Sequence, residues 1–149
     1  MIIIRELIPD DLTQLIDLYK QLDSNNINID INNAKKIIEK SMKTEMIKYL
    51  VAEDNGKIIA SCYLVIIPNI TNNCRSIGFI ENVITDENYR GKGIGKNIIR
   101  KAIELSRNEN CYKVILQSGM KRESAHTFYE KLGFDGESKK AFDLRLEEN

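Results

Sequence analysis

Histidine and cysteine are scarce in this chain. One histidine, His126, and three cysteines, Cys62, Cys74 and Cys111, are scattered along it with no C-x-x-C pair. Zinc normally takes about four Cys, His or carboxylate ligands, so no metal is expected. An odd, widely spaced set of thiols also argues against a disulfide framework and for a reducing cytoplasm. Formal net charge is zero, which removes the global field that draws a chain to nucleic acid or to an anionic membrane. Long apolar runs are missing too. The one near Met1 soon meets Arg5, Glu6, Asp10 and Asp11, too early for a signal peptide or a spanning helix. Neither nucleic acid nor membrane is therefore an expected partner.

What is present is a chain of 149 residues, 42% hydrophobic and 30% charged. That composition suits one domain, residues 1–149, around one core. Residues 2–7 are rich in β-branched side chains and read as a strand. Pro9-Asp10-Asp11 signals a helix start, and Leu12, Leu15, Ile16, Tyr19 and Leu22 recur at helical spacing. A polar, Asn-rich connection over 24–33 precedes a weaker helix over 33–46. Residues 48–53 and 57–67 read as strands joined by the tight turn Asp54-Asn55-Gly56, where Gly56 suits a positive φ. A loop over 68–73, a strand over 76–85, a helix from Ile94, a strand over 111–117 and a helix ended by Gly133 come next. Residues 141–146 can form a last strand. The order β-α-α-β-β-β-α-β-α-β predicts an α+β fold: a mixed sheet, antiparallel with one parallel crossover, and helices on both faces.

The turn Arg90-Gly91-Lys92-Gly93-Ile94-Gly95 lies between a strand and a helix. Glycines there let successive backbone N–H groups converge on one point. The helix after the turn directs its positive end to the same place, which makes a phosphate site. Arg90, Lys92 and Lys96 add charge. The Walker pattern fails, because Arg90 stands where its first glycine belongs and Asn97 where its Ser or Thr belongs. The dinucleotide fingerprint also fails, because Gly95 comes one residue too early. By itself the turn reads equally well as a flexible helix entry.

The surrounding segments resemble the GNAT superfamily of acetyltransferases. They are Gly78-Phe79-Ile80-Glu81-Asn82-Val83-Ile84-Thr85, Tyr89-Arg90-Gly91-Lys92-Gly93-Ile94-Gly95 and Phe128-Tyr129-Glu130-Lys131-Leu132-Gly133-Phe134. The signature Gln/Arg-x-x-Gly-x-Gly/Ala is matched by Arg90, Gly93 and Gly95. The resemblance implies acetyl-CoA as co-substrate, bound by residues 83–85 and 90–96 together with Arg122, Tyr129 and Lys131. It implies direct attack by an amine, with no acyl-enzyme. The strands over 78–85 and 111–117 would splay, and the cofactor's pantetheine arm would lie along Val83, Ile84 and Thr85 as an added strand does. The Val83 N–H would face the thioester oxygen. Arg122 departs from the family, whose members often carry Asn there.

Two side chains are candidates for the chemistry. Tyr129 is the candidate general acid, giving a proton to the departing thiolate. Its position on the apolar stripe of its helix would otherwise read as a core tyrosine. Glu81 is the candidate general base, needed because an alkyl ammonium has a pKa of about 10.4. It shares strand parity with Ile77, Phe79 and Val83, and a carboxylate in that row belongs to a site or to an exposed edge. Asn82 reads as a strand-end hydrogen-bonding residue, His126 as a solvated helix residue, and Cys111 as a packed cysteine.

These residues together imply an N-acetyltransferase acting on a small-molecule primary amine. Ile80-Glu81, Asn110-Cys111-Tyr112-Lys113 and the Phe-Tyr-Glu-Lys segment are similar to glucosamine-6-phosphate acetyltransferases, although those tend to have an acid where Asn82 stands. A protein N-terminal or lysine acetyltransferase and a non-catalytic acetyl-CoA-binding module are the alternatives. Substrate recognition is expected in residues 22–33 and 68–73, and a late strand could pair across a homodimer.

Overall fold

The computed structural model describes residues 1–23 and 27–147. Its elements are β1 (Ile2–Glu6), α1 (Leu12–Tyr19), α2 (Ile31–Met42), β2 (Ile47–Asp54), β3 (Lys57–Ile67), α3 (Thr71–Cys74), β4 (Ile77–Thr85), α4 (Ile94–Asn108), β5 (Lys113–Leu116) and α5 (Glu123–Lys131). The strands stand in the order β1-β2-β3-β4-β5. The first three pairings are antiparallel and β4–β5 is parallel, because α4 carries the chain back before β5 begins. The mixed α+β architecture read from the sequence is thus the one formed. Two compact units result: Met1–Leu116, which holds the whole sheet, and Gln117–Asn149, which holds α5. No helix among the described residues is long and apolar enough to cross a membrane.

The sheet of the first unit is covered on both faces. Leu12, Leu15, Ile16 and Leu18 of α1 and Ile38 of α2 form one buried cluster with Val51, Ile58 and Ile84. On the other face, α4 buries Ile94, Ile98, Ile99 and Ala102 and packs on β2, β3 and β4. Gly78 shows how close that approach is. A Cβ there would stand 2.6 Å from the Ser106 Oγ of α4, so only glycine fits.

Arg5 ties β1 to the turn before α1 and to β2. Its guanidinium donates to both carboxylate oxygens of Asp11, at 2.6 and 2.9 Å, and to Glu53 at 2.9 Å. Asp11 also accepts from the Ile8 N–H. It is buried, and the Arg5 bonds hold its carboxyl below the usual carboxylate range.

Several expectations are corrected. Helix α1 ends at Tyr19, short of Leu22. Helix α2 begins at Ile31, because the Asp30 carboxylate caps it by accepting from the Asn33 N–H at 2.8 Å. At the end of the span expected to be loop, Asn72 and Asn73 take left-handed backbone angles in α3, and Cys74 just beyond it does too. Residues 141–146 form no strand. Phe142, Leu144 and Leu146 alternate as a strand would, but no ladder partner meets them among the described residues, and all three are exposed. The turn at Asn55 and Gly56 is as expected, with φ of 50° and 84°.

Candidate functional site

Gly91 and Gly93 take φ of 76° and 79°, the left-handed region that a side chain strains against. Gly93 is the residue before α4, and the first helical amide to find an acceptor is Asn97, on the Gly93 carbonyl at 3.1 Å. Among the described residues, no amide from 91 to 96 bonds within the protein. Four orphan amides are the rule at a helix start; here the two left-handed glycines add the turn's own amides to the set. Nothing stands within 4 Å of where a Cβ would lie on Gly91 or Gly93. The turn is therefore an open concavity of N–H groups at the positive end of a fifteen-residue helix, suited to a diphosphate.

The charged side chains around this turn mostly brace it. Arg90 folds back, its Nε donating to the Thr85 carbonyl at 3.2 Å. Lys92 sets its ammonium 4.9 Å from the Tyr89 ring centre, and Lys57 lies 5.2 Å from the same ring. Tyr89 donates to Asp54 at 3.3 Å. Lys57 pairs with Asp86 at 3.0 Å. The Asn88 N–H and the Lys57 ammonium hold the Asp86 carboxyl below its ordinary range. Tyr89 belongs to a segment that the sequence pattern marks. Lys57, Asp54 and Asp86 carry no such mark, since they meet the turn through the β2–β3 hairpin and an Asx-type cap.

Strand β4 supplies the second part. Its parallel pairing with β5 runs only from Ile77 to Ile80, while its pairing with β3 continues to Thr85. Residues 81–85 thus have no strand paired on the β5 side among the described residues, because β5 ends at Leu116. The register with β3 skips between Ser61 and Tyr63, leaving Asn82 and Val83 opposite Cys62. Asn82 takes φ 53° at this bulge. It is a mid-strand residue, not a strand-end one. The bulge also breaks the parity expected of Glu81 and Val83, and it turns Ile84 into the α1 cluster. Ile84 can therefore offer only backbone.

Glu81 stands on the α1–α2 face. Gly78 faces α4, so odd positions before the bulge face the other way. Glu81 is opposite Tyr63, and Tyr63 is opposite Tyr49, which packs on the α1 cluster. Glu81 is half-buried and, among the described residues, has no salt bridge or side-chain hydrogen bond. A carboxylate so placed is available to a cation or a proton. Tyr19 of α1 buries its hydroxyl nearby, with no partner within hydrogen-bond geometry among the described residues; burial raises its pKa, Tyr49 adds to the shift, and the polar side chains of Asn82 and Ser61 oppose it.

The remaining candidates lie in the second unit. Tyr129 is buried in α5, with Phe128 and Phe134 edge-on at 5.2 and 6.0 Å. Arg122 is exposed at the start of α5 and Lys131 is exposed at its end. His126 is a partly exposed residue of α5, and its Nε2 lies 2.8 Å from the Gly119 carbonyl. Cys111 is buried, as expected. Burial pushes the Cys62 thiol up to about 12, so it stays protonated at neutral pH and is no nucleophile. Part of the connection expected to recognise substrate, Ser24, Asn25 and Asn26, lies outside the described residues.

The sequence model of the acetyltransferase (GNAT) family matches residues 12–134. In sequence, the chain is 46% identical over 82 residues to a glucosamine 6-phosphate N-acetyltransferase of Trypanosoma brucei brucei, a match covering 55% of this chain and 54% of that protein. The chain spans about half the length of the first curated relatives it matches. In structure, it superposes on a Trypanosoma brucei acetyltransferase with TM-score 0.82 at 33% identity, covering 99% of each chain. The glucosamine-6-phosphate N-acetyltransferase of Arabidopsis thaliana gives TM-score 0.85 at 27% identity, covering 97% of this chain and 98% of that one.

Proposed function

Since the chain belongs to the acetyltransferase (GNAT) family, we propose that it is an acetyl-CoA-dependent N-acetyltransferase for the primary amine of a small molecule. The observation that carries this reading is the set of unpaired amides over 91–96, next in chain order to the open edge of β4. Acetyl-CoA supplies an activated acyl thioester when bound. The turn's amides would hold its diphosphate, with Arg90 bracing the turn and Lys92 and Lys96 adding charge. The backbone of Val83, Ile84 and Thr85 would hold the pantetheine arm. Glu81 takes the amine's proton, directly or through a water. Tyr129 keeps the role its motif implies, proton donor to the departing thiolate, and Arg122 and Lys131 keep theirs as cofactor contacts.

Glucosamine 6-phosphate is the first acceptor to test, because relatives are named for it. We further propose a homodimer, supported by the exposed alternation Phe142, Leu144, Leu146, and a cytoplasmic location, supported by three unpaired cysteines. The test is CoA release from acetyl-CoA across a panel of amines. Glu81→Gln and Tyr129→Phe should each lower kcat about a hundredfold with the acetyl-CoA KM retained. Cofactor binding without turnover would indicate a binding module, turnover of peptides alone a protein acetyltransferase, and no affinity for CoA would refute the reading.

A further inference from the structure

Tyr63 is half-buried in β3, and its ring stacks on Tyr49 of β2 with centroids 4.6 Å apart and planes 25° apart. The register sets Tyr49 opposite Tyr63 and Tyr63 opposite Glu81. Neighbouring strands lie about 4.8 Å apart, so these three side chains stand in one row on one face. Tyr49 covers one face of the Tyr63 ring. The other face is turned to β4, where the next side chain in the row is the Glu81 carboxylate, which has no ion pair or side-chain hydrogen bond among the described residues. An aromatic face is negative and so is a carboxylate. A cation set against both would be attracted, and a neutral group of the same shape would gain little.

We propose that Tyr63, backed by Tyr49, seats the acceptor amine as its ammonium against Glu81. This rests on the acetyltransferase reading and adds to it a residue that selects the acceptor's charge state. A lysine-like amine has a pKa of about 10.4; the neighbouring oxygens of an amino sugar lower that value but still leave much of it as ammonium at neutral pH, and the ammonium is the species to be recognised. Cation–π attraction to Tyr63 and charge attraction to Glu81 hold it. The product is a neutral amide. It loses both attractions, which favours its release over a second acceptor's exclusion.

Steady-state kinetics with glucosamine 6-phosphate test this. Tyr63→Leu should raise the acceptor KM about five- to tenfold, while the acetyl-CoA KM stays within about twofold. Tyr63→Phe, which keeps the ring and drops the hydroxyl, should recover most of that loss. An unchanged acceptor KM in Tyr63→Leu, or a Phe variant as poor as the Leu variant, would overturn the proposal. Calorimetry on the unmutated protein with CoA present gives a readout that needs no variant to fold. Glucosamine 6-phosphate should bind about tenfold more tightly than glucose 6-phosphate, its alcohol counterpart, and equal affinities would count against the proposal. If no amine is turned over at all, the enzymatic reading fails. If turnover is normal and only the Tyr63 effects are missing, this proposal alone fails.

Discussion

The glycine turn and the Glu81 row are built by opposite means. The turn is consecutive backbone: residues 91–96 present amides, two of its glycines have left-handed φ, and its side chains mainly steady it. The row is side chains from three strands, brought together by register and by strand alternation ahead of the bulge. A backbone site tolerates changes of side chain but not of φ. A register site tolerates changes of turn but not of pairing or packing.

The largest expected effect breaks the turn and spares the row. Gly93→Val places a β-branched residue at φ 79°, at about 1–2 kcal/mol of strain, and tilts the amides away from their anion. CoA affinity measured by calorimetry should fall about a hundredfold, whereas Lys92→Ala should cost far less. A Lys92→Ala loss as large as that of Gly93→Val would mean that the turn works by side-chain charge.

The next effect sharpens the comparison from the frame. Arg5→Ala leaves the buried Asp11 carboxylate without its guanidinium, which should lower unfolding free energy by about 2–3 kcal/mol. Asp11 sets the sign with pH. Its folded pKa is depressed, so its contribution is full above the unfolded value of about 3.9 and is lost as pH falls through the lower folded value. Urea titrations should therefore show a constant gap between wild type and Arg5→Ala above about pH 5, narrowing in stronger acid. A gap that widened in acid would contradict the assignment.

The smallest effect lies beside the row. Tyr19→Phe removes a buried hydroxyl with no partner in hydrogen-bond geometry among the described residues, so stability should hold or rise, by up to about 1 kcal/mol. A clear drop in Tm would show that the hydroxyl is paired in solution.

The same contrast explains how much of the molecule the residues alone reveal. The turn is legible because contiguous glycines and an adjoining helix are a local pattern. Helix α4 and strand β3 are legible because their apolar periods are long. The β4 bulge is not: Asn82 at φ 53° depends on the pairing with Cys62 of another strand. Tyr63 is hidden for the same reason, since its place beside Glu81 is a fact of register. Residues 141–146 mislead because alternation states what a strand needs, while a strand also requires a neighbour.

The four-residue pairing of β4 with β5 has one more consequence. A ladder that stops at Ile80 leaves no sheet hydrogen bonds to be broken when a chain-like ligand enters alongside residues 81–85. None of the contact energy gained there is absorbed in prising β4 from β5.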